Sequence, residues 1–452
     1  MRLTLGVKRL GIMDAKPTAH FALILLILLA FPRPGHAGEA LTLEQCIRLA
    51  LQHNPTFAGE RAALREAQAS YLVARAGLLP KLSVSAYYNR LNADRLSPLG
   101  TAATPSALYT SDAFAGLTVS QLIFDGGHAR AGTRAAAHGV AAGRAGVAAS
   151  RAETVYQVTK AYFGVLEAKA LTEVAQEATR RQRDFEQLTS EFFRAGKVTR
   201  LDVIRARAQT LDAERTQINA VEVERLAGAV LQEAIGLDAR GPIAVAGTLP
   251  AHVEPPLPEA DLMRAAAADN PDLRSAGQLV HQARENVRAA RGVSYPALSL
   301  QGGYGREDRN VGGEAPLWTA GVFVNWPIFE GGAIRAGVDA ADARLTQIEQ
   351  ARRALQIAVQ VQVDQALAAW RTAIADVRAA RSLVATDREA VHTAVGLYRA
   401  GMATALDVLT AQTDLTAAEG SEVQALTAYT AARAQMARVT GPVDITHQEP
   451  RP

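Results

Sequence analysis

Apolar and polar side chains alternate with a period of two in two short parts of the chain. Leu82, Val84, Ala86 and Tyr88 fall on one side, and residues 317–327 repeat the pattern around two tryptophans. Strict alternation is typical of a strand with two different faces. Two such strands of about ten residues flank a polar loop in each part. The pattern therefore predicts two β-hairpins, over 80–125 and 296–330.

Long proline-free stretches follow each predicted hairpin and favour helix. The first runs from 128 to 241 and the second from 333 to 441. A helix reaching from His128 to Ala195 would be roughly 100 Å long at 1.5 Å per residue. Such a helix needs packing partners along its whole length. We therefore predict long helical hairpins. Residues 356–365 alternate with period two, but their flanks favour helix there as well.

The chain contains two copies of one plan. "HNPTF" at 53–57 returns as "DNPDL" at 269–273, and "LIFDGG" returns as "PIFEGG". Pro80 and Pro296 are 216 residues apart, whereas Gly126 and Gly331 are 205 apart, so the first copy carries 11 extra residues between Pro80 and Gly126. A repeat of this kind indicates duplication. Helical stretches over 41–78 and 258–293 open the two copies.

This repeat sets the domain boundaries. We predict a first repeat over 38–240, a linker rich in proline and glycine over 241–257, and a second repeat over 258–441. Residues 442–452 read as a disordered tail.

Each long stretch is interrupted by the same turn, "RAGKVTRLDV" or "RAGMATALDV". Gly196 and Gly401 suit the left-handed conformation past a helix end. Thr199 and Thr404 are then expected to cap the next helix. The acid three residues later is expected to hydrogen-bond back to the threonine backbone, as in a capping box. We therefore place the hairpin tips near 196–199 and 401–404. On spacing alone, Asp202 and Asp407 are cap acids.

Prolines and glycines also mark the joints between strands and helices. No lysine, serine or threonine follows the Gly-Gly pairs at the spacing of a phosphate loop. We therefore interpret all six residues as strand–helix corners: Pro80, Gly126, Gly127, Pro296, Gly331 and Gly332.

The first 37 residues have the features of a secretory signal. Basic residues precede an apolar run, and "GHA" with small residues ends at Ala37. The leader before the apolar run is long, so Met13 is an alternative start. Cys46 is expected to be a buried thiol. A net charge of +3 gives no argument for nucleic acid, and no nucleophile, metal or cofactor motif is present. We therefore expect neither an enzyme nor a metal site.

Four strands cannot close a barrel, and an open sheet edge is not viable in lipid. Two copies would supply eight strands and three would supply twelve. The alternative is a soluble hairpin packed on helices, in a secreted periplasmic coiled-coil protein of structural or interaction type. The duplicated hairpins favour the membrane interpretation.

The order of these elements resembles the TolC-type outer-membrane efflux family over residues 41–441. The paired turns carry the resemblance most specifically. It implies a homotrimer with a twelve-stranded barrel in the outer membrane of a Gram-negative bacterium and an α-helical barrel through the periplasm. It also implies a passive exit duct for efflux or type I secretion, opened by iris-like hairpin movement after docking to a periplasmic adaptor and an inner-membrane transporter.

The resemblance also assigns roles to the turns. It implies that Asp202 and Tyr398 are tied together in the closed state and that Asp407 forms a charged ring in the lumen. Thr410 stands where some members of the family carry a second aspartate in the lumen. Ala403 stands where some members carry a gate arginine, and Arg200 is an alternative for that arginine. The candidate adaptor contacts are Ala195, Gly196, Lys197, Val198, Ala400, Gly401, Met402 and Ala403.

Overall fold

The computed structural model describes residues 40–90, 111–238, 241–309 and 313–441. The predicted signal peptide and the predicted tail lie outside these residues. Residues 91–110 also lie outside the described ranges, so the 11 extra residues of the first copy are not assigned to particular positions.

The two halves of the chain match element for element. The first half contains α1 (Leu43–His53), α2 (Pro55–Ala76), β1 (Lys81–Arg90), β2 (Ser111–Phe124), α3 (His128–Arg194) and α4 (Arg200–Ile235). The second contains α5 (Glu259–Asp269), α6 (Pro271–Gly292), β3 (Ala297–Arg309), β4 (Gly313–Asn325), α7 (Ala333–Arg399) and α8 (Ala405–Thr440). Each helix of the first half has a counterpart of the same length in the second: 11, 22, 67 and 36 residues.

The opening stretch of each half is two helices and not the single helix that the sequence predicts. The break falls at Asn54 and Asn270. Each asparagine caps the following helix through its Oδ1, which accepts the backbone N–H three residues on. Each Nδ2 donates to a carbonyl at the end of a distant helix, Ala234 or Val439, at 3.0 Å. Proline at the next position suits a first helical turn and cannot continue the previous helix.

The long helices form a layer in which α3 is central. Near the tips, α4 packs on α3, α3 on α8, and α8 on α7. Nearer the strands, α2 packs on α3, α3 on α6, and α6 on α7. The elements α4 and α7 therefore lie at the two edges of the layer. None of the described helices combines the length and the hydrophobicity that a membrane-spanning helix requires.

The linker between the halves lies along the helices through specific contacts. Leu41 and Val245 form an isolated parallel bridge. The Tyr162 hydroxyl donates to the Ala246 carbonyl, and Trp370 Nε1 donates to the Glu254 carbonyl at 3.1 Å. Apolar clusters of α1 with α3 and of α5 with α7 and α8 lie at this level. The linker therefore helps hold the two halves together.

Candidate functional site

The four strands form one antiparallel sheet in the order β1-β2-β3-β4. The central pairing, β2 with β3, joins the two halves of the chain. Within the described residues, β1 and β4 each pair on one side only. The sheet therefore has two open edges in a single chain.

The two faces of this sheet differ in chemistry. The pairing register places Val84, Leu117, Tyr304 and Trp318 side by side in one row. These side chains are 45% to 77% exposed. Directly opposite partners share a face in an antiparallel sheet. One face is thus apolar across all four strands.

The opposite face carries a row of small and polar residues across all four strands. Ser83, Thr118, Gly303 and Thr319 are register partners on that side. The hydroxyls of Ser83 and Thr118 are 2.7 Å apart and share a hydrogen bond. An apolar outer band and a polar inner surface are the two faces that a membrane barrel strand presents.

The corners between sheet and helices depend on glycine. Gly126 and Gly127 have φ of +65° and +87°, and Gly331 and Gly332 have +59° and +89°. A Cβ on Gly126 would lie 2.5 Å from the Gly292 carbonyl oxygen. Asp125 accepts the Gly127 and Ala129 N–H groups at 3.1 and 2.7 Å. The prolines of the prediction lie just before strands: Pro80 precedes β1, and Pro296 precedes β3.

Both hairpin turns contain a reciprocal capping box. Asp202 Oδ2 accepts the Thr199 N–H at 3.0 Å, and Asp407 Oδ2 accepts the Thr404 N–H at 2.7 Å. Each threonine Oγ1 accepts the aspartate N–H at 3.3 Å. Gly196 and Gly401, with φ of +73° and +76°, end the preceding helices. The loops between helices are therefore very short and are closed by hydrogen bonds on both sides.

The residues suggested as adaptor contacts lie at these turns. Val198 and Ala403 are half-buried, and the others are exposed: Ala195, Gly196, Lys197, Ala400, Gly401 and Met402. The Lys197 ammonium lies 5.2 Å from the centroid of the Phe192 ring. The Met402 side chain is 71% exposed. Among these residues, the two long side chains presented to solvent are thus one cationic, Lys197, and one apolar, Met402.

Tyr398 joins the two hairpins through its ring. Its side chain is 3% exposed. Its centroid lies 5.2 Å from that of Phe185 and 5.5 Å from that of Phe192, both on α3. Val408 of α8 and Ala206 of α4 complete this buried cluster. An aromatic cluster therefore fixes the first hairpin against the second just above the tips.

The hydroxyl of Tyr398 has a partner that the sequence did not suggest. It donates to Thr189 Oγ1 at 3.4 Å, while the Asp202 carboxylate serves its own capping box. Burial raises the pKa of Tyr398 above its ordinary value, and the charge of Asp202 raises it further. The charge of Asp202 thus acts on Tyr398 without a hydrogen bond between them. The hydroxyl of Tyr398 is hydrogen-bonded to Thr189 instead.

Asp407 carries an exposed charge. Hydrogen bonds from the backbone and hydroxyl of Thr404 lower the pKa of this aspartate below its ordinary value. The carboxylate is therefore ionised at neutral pH. Thr410 is exposed on the same helix, and Arg200 begins α4 on the other hairpin.

Sequence reasoning missed Phe185, Thr189 and Phe192. The seven-residue spacing of the two phenylalanines places them on one face of α3 and could have indicated a cluster. Their partner is 209 residues from Thr189 along the chain, so no local pattern identifies it. In the part of the chain that the structure describes, no group of three or more potential ligand side chains could hold a metal.

Comparison with known proteins agrees with this geometry. The profile of the outer membrane efflux protein family matches residues 46–237 and 262–442. The chain belongs to the outer membrane efflux protein family. It is therefore an efflux channel protein of the outer membrane that extends into the periplasm.

Individual relatives cover most of the chain. The outer membrane efflux protein BepC of Brucella suis is 26% identical over 408 residues, which are 86% of this chain and 83% of that protein. Protein CyaE of Bordetella pertussis is 26% identical over 391 residues, 85% of this chain and 80% of that one.

Solved structures show the same fold. The CmeC outer membrane channel of Campylobacter jejuni has a TM-score of 0.77 at 20% identity and covers 96% of this chain and 94% of its own. The open state of the MtrE outer membrane channel of Neisseria gonorrhoeae has a TM-score of 0.74 at 23% identity, covering 88% of both chains.

Proposed function

We propose that three copies of this chain form a passive exit duct whose twelve-stranded barrel is continued by a helical tunnel. The observation that carries the proposal is the four-stranded sheet, which has an apolar row on one face, a small polar row on the other and two open edges. Lipid cannot satisfy open backbone groups, so the edges must pair with other copies. Because each copy contributes four strands, three copies give twelve.

The helical layer supports the same assembly. The edge helix α4 exposes a row of large apolar side chains at heptad-like spacing: Leu201 (53% exposed), Ile204 (55%), Leu211 (58%) and Ile218 (66%). The other edge helix, α7, exposes Ile357 (55%), Val361 (46%) and Leu383 (49%). A row with the spacing seen on α4 is typical of a helix that packs against another helix in water. Joining α4 of one copy to α7 of the next would cover both rows and close the tunnel.

The hairpin tips form the periplasmic entrance in this proposal, and Asp202, Tyr398 and Asp407 line or control it. The cluster around Tyr398 holds the two hairpins of one subunit together, and iris-like separation of the hairpins would open the duct. Asp407, exposed and ionised, would contribute one negative charge per subunit. A ring of like carboxylates favours cations over anions.

Docking partners follow from the same tips. Short exposed turns with Lys197 and Met402 offer a contact surface to a periplasmic adaptor, which connects the duct to an inner-membrane transporter. The energy for transport would come from that transporter, because the duct is passive.

Conductance in planar bilayers tests the proposed duct. Purified protein should insert as uniform channels with small conductance in the closed state. Absence of channels, together with recovery of the protein in the soluble periplasmic fraction without detergent, would instead favour a secreted coiled-coil protein.

A further inference from the structure

A groove on the helical wall is lined by basic, amide and small apolar residues. It has a volume of about 570 Å³ and lies between α3, α6 and α7, with Ala267 of α5 at one end. Its polar lining residues are three arginines, one histidine and two glutamines: Arg144, Arg274, Arg352, His281, Gln278 and Gln356. None of the described residues lining it is acidic. The described lining thus supplies hydrogen-bond donors and no carboxylate of its own, and of the three arginines only Arg274 is held by a neighbouring carboxylate, that of Asp269.

The nearby acids are already paired. Asp269 binds Arg274 at 2.5 Å, and Glu349 binds Arg284 at 2.8 Å. Within the described chain, Arg144 and Arg352 make no ion pair or hydrogen bond. Two guanidinium groups on neighbouring helices are thus left without a counter-charge at one groove.

The apolar part of the groove lining, called the floor below, consists mostly of small residues. Ala141, Ala145 and Ala148 line it from α3, and Gly277 and Leu273 line it from α6. Small side chains let a planar body approach the helix closely. The cationic rim formed by Arg144 and Arg352 and the apolar floor together suit a molecule with an anionic group on a flat hydrocarbon body.

Neighbouring hydrogen bonds orient a further donor toward the rim. His138 Nδ1 donates to Gln278 Oε1 at 3.0 Å, which leaves the Gln278 amide NH₂ available. The His138 and His281 rings stack with centroids 5.2 Å apart. These contacts fix the side of the groove formed by α3 and α6.

We propose that this groove binds a soluble organic anion, a carboxylate or sulfonate on a flat apolar body, through Arg144 and Arg352. The site lies 13 to 20 residues along α3 from its start at His128, or about 20–30 Å from the sheet at 1.5 Å per residue. That distance favours a soluble ligand over a lipid headgroup. The proposal stands independently of whether the protein conducts.

The test is calorimetric titration of the detergent-solubilised full chain with naphthalene-1-sulfonate. We expect saturable binding, weakened at least about tenfold in R144Q/R352Q, because bonds between charged groups are the stronger class. The matched control is Arg353→Gln, since Arg353 is exposed on the same helix but does not line the groove. It should bind like the unmodified protein.

Two further measurements distinguish the contribution of the apolar floor from that of the arginines and a soluble ligand from a lipid. Inorganic sulfate should bind at least about tenfold more weakly than the naphthalene compound, because it leaves the apolar floor uncovered. Phosphatidylglycerol added to the micelles should not compete. Equal binding by R144Q/R352Q and unmodified protein, or no saturable binding, would overturn the proposal. Equal affinity for sulfate would refute the apolar floor, and competition by the lipid would refute a soluble ligand.

Discussion

Removing the ring of Tyr398 should loosen the entrance far more than removing its hydroxyl. In Tyr398→Phe, one hydrogen bond of 3.4 Å is lost, and Thr189 keeps its own bond to the Phe185 carbonyl at 2.8 Å. A long bond of this kind contributes less than about 1 kcal/mol. The two ring contacts and the burial at 3% exposure remain.

Tyr398→Ala deletes the ring itself. Large-to-alanine changes at buried aromatic positions cost about 3–5 kcal/mol. If opening separates the cluster, the ratio of open to closed hairpins should rise more than about a hundredfold per subunit, since 1.4 kcal/mol is tenfold. The phenylalanine variant should change this ratio by less than about fivefold, for a loss below 1 kcal/mol.

Single-channel conductance in planar bilayers measures this difference. The alanine variant should show larger or longer-lived open levels, and the phenylalanine variant should behave almost like the unmodified channel. If Tyr398→Phe opens the channel as much as Tyr398→Ala does, the hydroxyl is the latch and the argument from ring packing is wrong.

Three further predictions concern other residues. Gly401→Ala should destabilise the protein by about 1 kcal/mol, because φ is +76° at this position. The matched substitution inside a helix, Gly396→Ala, should be neutral or stabilising by up to about 1 kcal/mol. Urea unfolding measures both free energies, and equal effects would contradict the assignment of Gly401 as the helix cap. Asp407→Asn should reduce the cation preference measured by reversal potential. Because hydrogen bonds from Thr404 hold the pKa of Asp407 below its ordinary value, the preference of the unmodified channel should hold from about pH 5 to 8 and fall only as pH drops through that lowered pKa. A change near pH 6 would exclude Asp407. Burial raises the pKa of Cys46 to about 11, so an aromatic disulfide reagent at about pH 8 should modify it only after unfolding, and rapid modification of native protein would show that the cluster around α1 is open.

Local patterns in the sequence predict much of the fold. Period-two alternation predicts the two hairpins. The absence of proline predicts the long helical stretches, and the glycine turns within them place the ends of α3 and α7 close to those observed. The Gly-Thr-Asp spacing identifies both turns, because a capping box is a purely local device.

Contacts between distant segments could not be predicted in the same way. The Asn-Pro break was missed because helical periodicity continues through it, and the role of Asn54 appears only when Ala234 is placed beside it. The pairing of β2 with β3 and the partner of the Tyr398 hydroxyl likewise depend on tertiary packing. A resemblance supplied Asp202 as that partner, and the structure places Thr189 there.

Native mass spectrometry of the detergent-solubilised protein tests the central claim most directly. Shared strands around a common axis predict a complex of three chains that persists as detergent is stripped in the spectrometer. A single chain that stays folded in buffer without detergent would contradict the claim, because it would mean that the open edges of its sheet need no other copy.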